Sequence, residues 1–301
     1  MAKTDVKELL DAGVHFGHLT RKWNPNMAPY IYMERDGIHI INLYKTAAKL
    51  EEAVNALKKI VISGRKILFV ATKKQAKDIV SEKAKSVDMP YITERWPGGM
   101  LTNFVTIRKA VKKMVAIDRM KKDGTFETLS KKEKLQVDRL RGKLEKNLGS
   151  ISDMTRLPGA IFIVDTLNEK ISVKEAQKLK IPIFAMVDTN SDPGEVDYII
   201  PSNDDASKSI EKILSVVCKA IQEGLDERKI EKEAENEGSS ENTGSSENTE
   251  TENKEPKEVD AKKAEPKKDK AKKTEPKKAK AKKTEPKKAK AKKTETKSSK
   301  K

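Results

Sequence analysis

The 301-residue chain has few of the residues that build catalytic centres or covalent cross-links. One cysteine and three histidines exclude an intramolecular disulfide and a cysteine metal cluster, and they leave few options for a nucleophilic triad. Cys218 lies beside an apolar stripe at helical spacing, so we expect it to be a packing residue. No segment reaches the roughly 18 apolar residues of a membrane span, and the N-terminus shows no secretion signal. We therefore expect a soluble intracellular protein with no membrane partner.

The local motifs of nucleotide-binding and hydrolytic enzymes are also missing. Neither GxGxxG nor GxxxxGK[ST] follows a strand candidate, and GxSxG, HExxH and CxxC do not occur. The pair Gly98-Gly99 precedes a predicted helix and can offer amides to an anion, but a tight turn is the more frequent role of such a pair. These absences disfavour an enzyme, and they point to no cofactor and no small-molecule substrate.

Basic residues exceed acidic residues, and the excess is uneven along the chain. The 64 Lys and Arg against 47 Asp and Glu give a net charge of +17. Residues 1–230 carry +10, residues 231–253 carry −7 and residues 254–301 carry +14. Because cations neutralise phosphates and release their counterions, this excess predicts a polyanionic partner. A protein that is basic without such a partner is the plainer alternative.

The pattern of apolar residues predicts an α/β domain formed by residues 1–101 and 157–228. Three apolar runs of strand length, 66–72, 160–166 and 182–189, are rich in Ile, Val and Phe. Continuous apolar runs are typical of strands that are covered on both faces, as in parallel sheets. Helical patterns lie between the runs, and strands alternating with helices predict an open three-layer sheet.

Residues 102–156 interrupt this alternation. Two apolar stripes at three- and four-residue spacing, separated by a turn at Asp123-Gly124, predict an antiparallel helical hairpin. The outer faces of the two helices are rich in Lys and Arg, which favours an arm that lies along a polyanion over a merely solvated surface. These basic residues are Arg108, Lys109, Lys112, Lys113, Arg119, Lys121, Lys122, Lys131, Lys132, Lys134, Arg139, Arg141, Lys143 and Lys146.

The C-terminal fifth of the chain has two segments of opposite charge. Residues 229–253 are acidic and rich in Ser, Asn, Thr and Gly, which predicts a disordered linker. Residues 254–301 repeat a ten-residue unit such as "AKKTEPKKAK", with almost nothing apolar to pack. We expect this tail to be disordered and to bind phosphates without sequence preference.

The stretch "GVHFGHLTRKWNP", residues 13–25, raises the question of a binding site. Arg21, Lys22, Trp23 and Asn24 place cations and an aromatic ring in a proline-interrupted loop, a combination that suits contact with nucleotides. Burial of Trp23 against the body is the alternative. Arg95 with Trp96 and the arm residues Arg108, Lys109 and Lys112 complete the set of predicted contacts with a nucleic acid.

The same stretch holds two of the three histidines. His15 and His18 are three residues apart. Asp188 ends a predicted strand, where ligands of open α/β sheets bind, and Asp204 and Asp205 begin the last predicted helix. A Zn²⁺ or Mg²⁺ pocket formed by these residues is a minority hypothesis, because the spacing fixes no third strong ligand. Local packing of the histidines and helix capping by the aspartates are the alternatives, and we expect no metal.

A family resemblance joins these observations. The segments that carry it are "GVHFGHLTRKWNPNMAPYIY", "GIHIINL", "ERWPGGMLTNF" and "PGAIFIVDTLNEKISVKEAQKLKIP". They closely resemble the ribosomal protein S-two family of the bacterial small subunit, over nearly all of residues 1–228. The linker and the Lys-rich tail lie outside the resemblance.

The resemblance implies a flavodoxin- or Rossmann-like parallel sheet with an inserted antiparallel helical hairpin, or coiled-coil arm. It implies a structural constituent of the small ribosomal subunit with a role in translation, located in the cytoplasm on the ribosome. The expected partners are small-subunit ribosomal RNA at the head-body junction and other small-subunit proteins, including ribosomal protein S-one, for which the family supplies the dock. His15 and His18 would then pack locally or shape the protein dock.

Two other functions remain open from the residues alone. A nucleotide-binding α/β enzyme would place its ligand at the Asp165 and Asp188 edge of the sheet. A nucleic-acid-compacting protein is suggested by the tail, which resembles that of linker histones, although the body has no helix-turn-helix signature.

Overall fold

The structure is a computed structural model that describes residues 5–240. The predicted tail, 254–301, and residues 241–253 of the predicted linker lie outside the described residues. The helices and strands are, in chain order, α1 (Val6–Asp11), β1 (Phe16–Leu19), β2 (Ile31–Arg35), β3 (Ile38–Ile41), α2 (Leu43–Ile62), β4 (Ile67–Val70), α3 (Lys74–Ser86), β5 (Tyr91–Ile92), α4 (Phe104–Lys122), α5 (Lys131–Leu148), β6 (Ala160–Val164), α6 (Lys170–Leu179), β7 (Ile183–Val187), β8 (Tyr198–Pro201) and α7 (Ser207–Ser240).

The main sheet is parallel and has the spatial order β5-β4-β6-β7-β8. Numbered along the chain, its five strands have the order 2-1-3-4-5, which is the flavodoxin-like arrangement. Every residue of β4, β6 and β7 is buried, because helices cover both faces of the sheet. The predicted α/β fold class is therefore confirmed.

Two apolar layers flank the sheet. On one face α1, α2, α3 and α7 pack against Phe69, Phe162 and Phe184. On the other face α6 and the base of the helical hairpin pack against Leu68, Ile161 and neighbouring aliphatic residues. The two layers hold the carboxyl ends of the strands at one edge of the sheet and the amino ends at the opposite edge.

A small antiparallel sheet, β1-β3-β2, forms beside the body from residues for which the sequence analysis predicted no strand. β2 and β3 are joined by Asp36 and Gly37, whose φ angles are 52° and 73°. Two successive positive φ angles match the strand twist of a tight hairpin, and Asp-Gly is a favoured pair at such turns. This dipeptide was the signal that the sequence analysis did not use.

The predicted hairpin is formed by α4 and α5. Ser130 and Glu133 form a capping box that begins α5, and an ion pair of 2.6 Å joins Lys121 on α4 to Asp138 on α5. Met114 is buried within the arm. The inserted hairpin thus has the form that the two apolar stripes predict.

Helix α7 is longer than predicted, because it continues to Ser240 through the first twelve residues assigned to a disordered linker. Residues 231–235, Glu-Lys-Glu-Ala-Glu, are all of types that favour or tolerate helix, so a helix already held by the body can propagate through them. The prediction of disorder from residue 229 is therefore wrong for residues 229–240. Among residues 5–240, no helix combines the length and the apolarity that crossing a membrane requires.

Candidate ligand site and nucleic-acid interface

A cluster of charged side chains lies where the parallel strands end. Lys73 follows β4, Asp165 follows β6, Asp188 follows β7, and Asp204 with Asp205 follows β8. Parallel strands bring their carboxyl ends to one edge, so residues far apart in the sequence meet there. Asp165 has a φ angle of 69°, and its carboxylate accepts hydrogen bonds from the backbone of the turn that leads to α6.

The ammonium group of Lys73 lies among three carboxylates. Its Nζ is 2.8 Å from Asp204 Oδ1, 2.6 Å from Asp205 Oδ1 and 3.6 Å from Asp165 Oδ2. Burial opposes the charged form of Lys73, but the carboxylates outweigh this and raise its pKa. Burial, together with the charges of Asp188 and Asp165, raises the pKa of Asp204 to about 7 despite Lys73.

His18 enters this cluster from β1. Its Nδ1 lies 3.1 Å from Asp188 Oδ2, and its Nε2 lies 3.3 Å from Asp205 Oδ2. The Asp188 carboxylate raises the pKa of His18. Three buried atoms in the cluster lack an aligned hydrogen bond within the described residues: His18 Nδ1, Asp188 Oδ2 and Asp204 Oδ2. Buried polar atoms are normally satisfied, so this set has capacity for a further partner.

The unsatisfied atoms fit a divalent cation. One ligand atom each from His18, Asp188 and Asp204 lies within 4.8 Å of the others, and an imidazole with two carboxylates is a donor set that Zn²⁺ accepts. These three residues would hold the ion, which would supply positive charge to the buried carboxylates. Lys73 already neutralises the opposite side of the cluster, so the geometry suits one cation. Asp205 lies on the exposed rim of the cluster.

His15 does not belong to the cluster, contrary to the metal hypothesis built on the spacing of the two histidines. Its ring packs against that of Phe16 at an angle of 38°, with centroids 4.0 Å apart, and burial lowers the pKa of His15. His15 lies just before β1 and His18 lies within it, and only the His18 ring meets Asp188 and Asp204. The three-residue spacing would have joined them only on a helix.

The crevice between β4 and β6 is the position where flavodoxin-like sheets bind nucleotides. Here it contains carboxylates: Glu169 Oε1 accepts a hydrogen bond of 3.2 Å from Thr72 N, and Asp165 lies beside it. Burial raises the pKa of Glu169, and the charge of Asp165 adds to the increase. Acidic side chains at this place disfavour a phosphate, so the geometry does not support the alternative of a nucleotide-binding enzyme.

The loop from Leu19 to Asn26 is held over the same edge of the sheet. Asn24 N donates to Thr189 O at 2.7 Å, and the Asn24 side chain accepts a hydrogen bond from Asn26 N. Arg21 and Lys22 are exposed. Trp23 is 37% exposed and packs against His39 with ring centroids 5.0 Å apart. One part of the indole therefore stays available for a partner, while Asn24 serves mainly to fix the loop.

Comparison with known proteins decides the family. The family model described as Ribosomal protein S2 matches residues 9–224. This chain belongs to the ribosomal protein S2 family. A small ribosomal subunit protein uS2 from Flavobacterium johnsoniae is 79% identical over 233 residues, which are 77% of this chain and 92% of the relative. The uS2 of Christiangramia forsetii is 80% identical over 76% of this chain and 77% of its own length. That of Bacteroides thetaiotaomicron is 64% identical over 77% of this chain and 84% of its own length.

Membership of the S2 family confirms the resemblance and the prediction that the chain is not an enzyme. It is a structural ribosomal protein with a role in translation. The alternative of a nucleic-acid-compacting protein rested on the tail alone, whereas the family match rests on the body. The polar cluster of this S2-family chain therefore has a binding or structural role rather than a catalytic one.

One predicted RNA contact of this S2-family chain needs correction. Trp96 is only 6% exposed, and its indole N–H donates to Glu175 Oε1 at 3.2 Å. It therefore offers no face for stacking on a base, whereas the neighbouring Arg95 is exposed. In the sequence, Trp96 after Arg95 looks like a pair that binds RNA. In the structure, Trp96 packs against the base of the arm and is buried there.

Glu175 on α6 is a residue that the sequence analysis missed. Its carboxylate accepts backbone hydrogen bonds from Gly99 (2.7 Å), Leu101 (3.0 Å) and Thr102 (3.1 Å), besides that from Trp96. Burial opposes ionisation, but these donors outweigh it and lower the pKa of Glu175. The carboxylate thus ties the start of the arm to the body, and no local sequence signal reveals this pairing across more than 70 residues.

The predicted RNA contacts on the S2 arm differ in their exposure. Lys109 and Lys112 are exposed, as contact with RNA requires, while Arg108 is half-buried. Arg108 Nη1 donates to Thr155 O at 2.7 Å, so the guanidinium also joins α4 to the segment that returns from the arm.

An apolar groove on the small N-terminal sheet was also missed by the sequence analysis. It has a volume of about 610 Å³. Its exposed members include Phe16 (49%), Tyr32 (70%) and Tyr44 (77%), and His15 lies in its wall. Exposed aromatic residues around one groove are typical of a protein-binding surface. The alternation in "GIHIINL", which turns Ile38 and Ile40 to this side, is the signal that was available.

Proposed function

We propose that this S2-family chain binds small-subunit ribosomal RNA at the head-body junction and docks ribosomal protein S-one. The observation that carries the proposal is the division of its surface into two chemically different parts. The arm and the loop from Leu19 to Asn26, which carries Arg21 and Lys22, expose cations, and the N-terminal sheet exposes an apolar groove. RNA and protein partners can therefore bind at the same time on different faces.

The arm has the electrostatic character of an RNA-binding surface. Exposed lysines of α4 such as Lys109, Lys112 and Lys113 have no carboxylate within 4.0 Å among residues 5–240. Unpaired cations release counterions when they meet phosphates, which favours binding in a salt-dependent way. A-form RNA presents phosphates and shape rather than base edges to such a surface.

The groove has the character of a protein dock. Tyr32, Tyr44 and Met33 are exposed aromatic or thioether side chains, which interface cores favour. The wall residues include Arg35 and Asp36 at one end, which supply a polar rim. We assign ribosomal protein S-one to this groove and place the chain on the ribosome.

The first test concerns the cations of the loop. Replacing Arg21 and Lys22 together by Ala should weaken binding to small-subunit ribosomal RNA and reduce the dependence of log K on log salt by about two. Titrations at several salt concentrations measure the slope, and sucrose-gradient sedimentation measures incorporation into small subunits. Replacing the exposed Lys208 and Lys219 of α7 by Ala is the matched control. An unchanged slope in the loop variant would contradict the assignment.

The second test concerns the groove. Replacing Tyr32 and Tyr44 by Ser should weaken binding of purified ribosomal protein S-one about tenfold or more, because exposed aromatic anchors dominate such interfaces. The salt slope for RNA should not change. Isothermal titration with the full chain measures the affinity, and replacement of the exposed Leu167 and Ile171 by Ser is the control. Equal losses in both variants would show that the groove is not the dock.

A further inference from the structure

Two more grooves lie away from the cluster and from the apolar groove. The first, of about 400 Å³, runs along α4 and ends at residues 151–154. The second, of about 770 Å³, lies at the amino edge of the main sheet, between the end of α2, residues 153–159 and the end of α6. Met154 lines both grooves. They therefore form one surface that continues from the arm onto the body, which we call the amino-edge track.

The amino-edge track is strongly basic. Only one acidic residue, Asp153, lines either groove. Lys66 is paired with Asp88 at 3.3 Å. Six further cations have no carboxylate within 4.0 Å among residues 5–240, and these are Arg65, Arg108, Lys112, Arg119, Arg156 and Lys180. Elsewhere on the arm, Lys121 and Arg141 are neutralised by acidic partners. Like Lys109 and Lys113 of the arm, these six cations therefore have no acidic partner among residues 5–240 and can meet phosphates.

Two contacts hold cations of the track in place. Arg108 bridges the two grooves through its hydrogen bond of 2.7 Å to Thr155 O. The stem of Arg65 lies directly over Gly159, where a Cβ atom would overlap Arg65 Cβ, and Gly159 N donates to Lys66 O at 2.8 Å. A glycine at this close approach lets the Arg65 stem rest on the body while its guanidinium faces solvent.

The backbone conformation of Lys180 is a separate observation about the amino-edge track. Lys180 ends α6 with a φ angle of 54°, in the left-handed region where glycine is the usual residue. A residue with a Cβ atom is strained in this conformation. Such strain persists where the surrounding structure fixes the backbone, and Lys180 lines the second groove of the track.

We infer that the amino-edge track binds the sugar-phosphate backbone of RNA and extends the contact of the arm onto the body. The six unpaired cations meet phosphates, and exposed apolar residues of the floor such as Leu157 and Leu179 face sugars. Ligands of open α/β sheets usually bind at the carboxyl edge, but here that edge carries the buried carboxylates of Asp165, Asp188 and Asp204, whereas the two grooves of the track are basic. A further groove beyond Lys180 is lined by Glu52, Glu195 and Asp197, and these acidic residues limit the track on that side. The inference rests on the proposed function, since it names a second part of the RNA-binding surface.

The variant Lys180→Gly distinguishes the effect of the Lys180 charge on RNA binding from its effect on the stability of the fold. Glycine relieves the strained backbone, so the full chain should unfold at a higher urea concentration than the wild type. The same variant should bind transcribed small-subunit ribosomal RNA with a salt slope smaller by about one. Arg65→Gln combined with Arg156→Gln should reduce the slope by about two and the affinity about tenfold or more. Lys208→Gln with Lys219→Gln on α7 is the control and should change neither quantity.

A parallel variant distinguishes this inference from the proposed function. Lys109→Gln with Lys113→Gln removes charge from the arm outside the two grooves and should reduce the slope by about two in any case. If that variant behaves so while Lys180→Gly and the Arg65/Arg156 variant bind RNA as the wild type does, the track is refuted and the proposed function stands. If none of the three changes the slope, RNA binding by these surfaces is refuted altogether. Loss of ribosome incorporation with unchanged RNA affinity would assign the track to a protein partner and refute the inference.

Discussion

Replacing Lys73 by Met should destabilise the folded chain by about 3 to 5 kcal/mol at neutral pH, the cost typical of removing one partner from a buried ion pair. The substitution leaves Asp165 and Asp204, both buried, without the cation that lies 3.6 Å and 2.8 Å from them. Urea unfolding of the full chain followed by circular dichroism measures the change. Lys74→Met, at the exposed neighbouring position, is the control and should stay within about 0.5 kcal/mol of the wild type.

The defect should depend on pH in a defined direction. Folding raises the pKa of Asp204 to about 7 from its ordinary value of 3.8, so the folded state binds a proton that the unfolded state does not. Its stability therefore increases as pH falls from about 7 towards 4. Without Lys73 the pKa of Asp204 should rise further, so the difference between variant and wild type should shrink as pH falls from alkaline values towards about 7. Below about pH 6 the difference should be constant, because Asp204 is then protonated in both folded proteins. A defect of the same size at about pH 9 and at about pH 6 would show that Lys73 acts through packing rather than charge.

Replacing Glu175 by Ala should cost about 3 kcal/mol, because several buried or half-buried donors lose an ionised acceptor at once. The backbone N–H groups of Gly99, Leu101 and Thr102 and the Trp96 indole would then have no partner in this position. Hydrogen exchange should show these three amides losing protection before the core strands do. The arm should also become less fixed relative to the sheet.

Two comparisons make this result specific. Lys174→Ala lies one residue away on the exposed face of α6 and should leave both stability and exchange unchanged. Glu175→Gln keeps the shape but directs an amide N–H₂ towards donors, so it should recover only part of the loss. Full recovery by Gln would mean that the negative charge does not matter and that shape alone holds the base of the arm.

The elements that the sequence predicted well are those with a strong local pattern. β4, β6 and β7 are short apolar runs buried on both faces, and their length and their content of Ile, Val and Phe distinguish them from the surrounding helices. The two stripes of the arm are equally clear. The N-terminal strands were missed because β2 is mostly exposed, so little apolar alternation marks it.

The site was harder to predict because it depends on contacts between distant segments. The cluster of His18 with Asp188 and Asp204 joins residues some 170 to 190 positions apart, and only strand order brings them together. Exposure caused the errors at Trp96 and His15, since a sequence shows residue type but not which side of the chain faces solvent. The amino-edge track was missed for the same reason: Arg65 and Lys180 are unremarkable in sequence and become neighbours only through the sheet.

The two tryptophans give the protein a pair of built-in optical reporters. Trp96 is buried beside a carboxylate at the base of the arm, whereas Trp23 is partly exposed on the loop that carries Arg21 and Lys22. The buried indole emits at shorter wavelength and resists quenching by iodide, and the exposed one does neither. Arrival of a partner at the loop and loosening of the arm can thus be followed separately in one unlabelled sample.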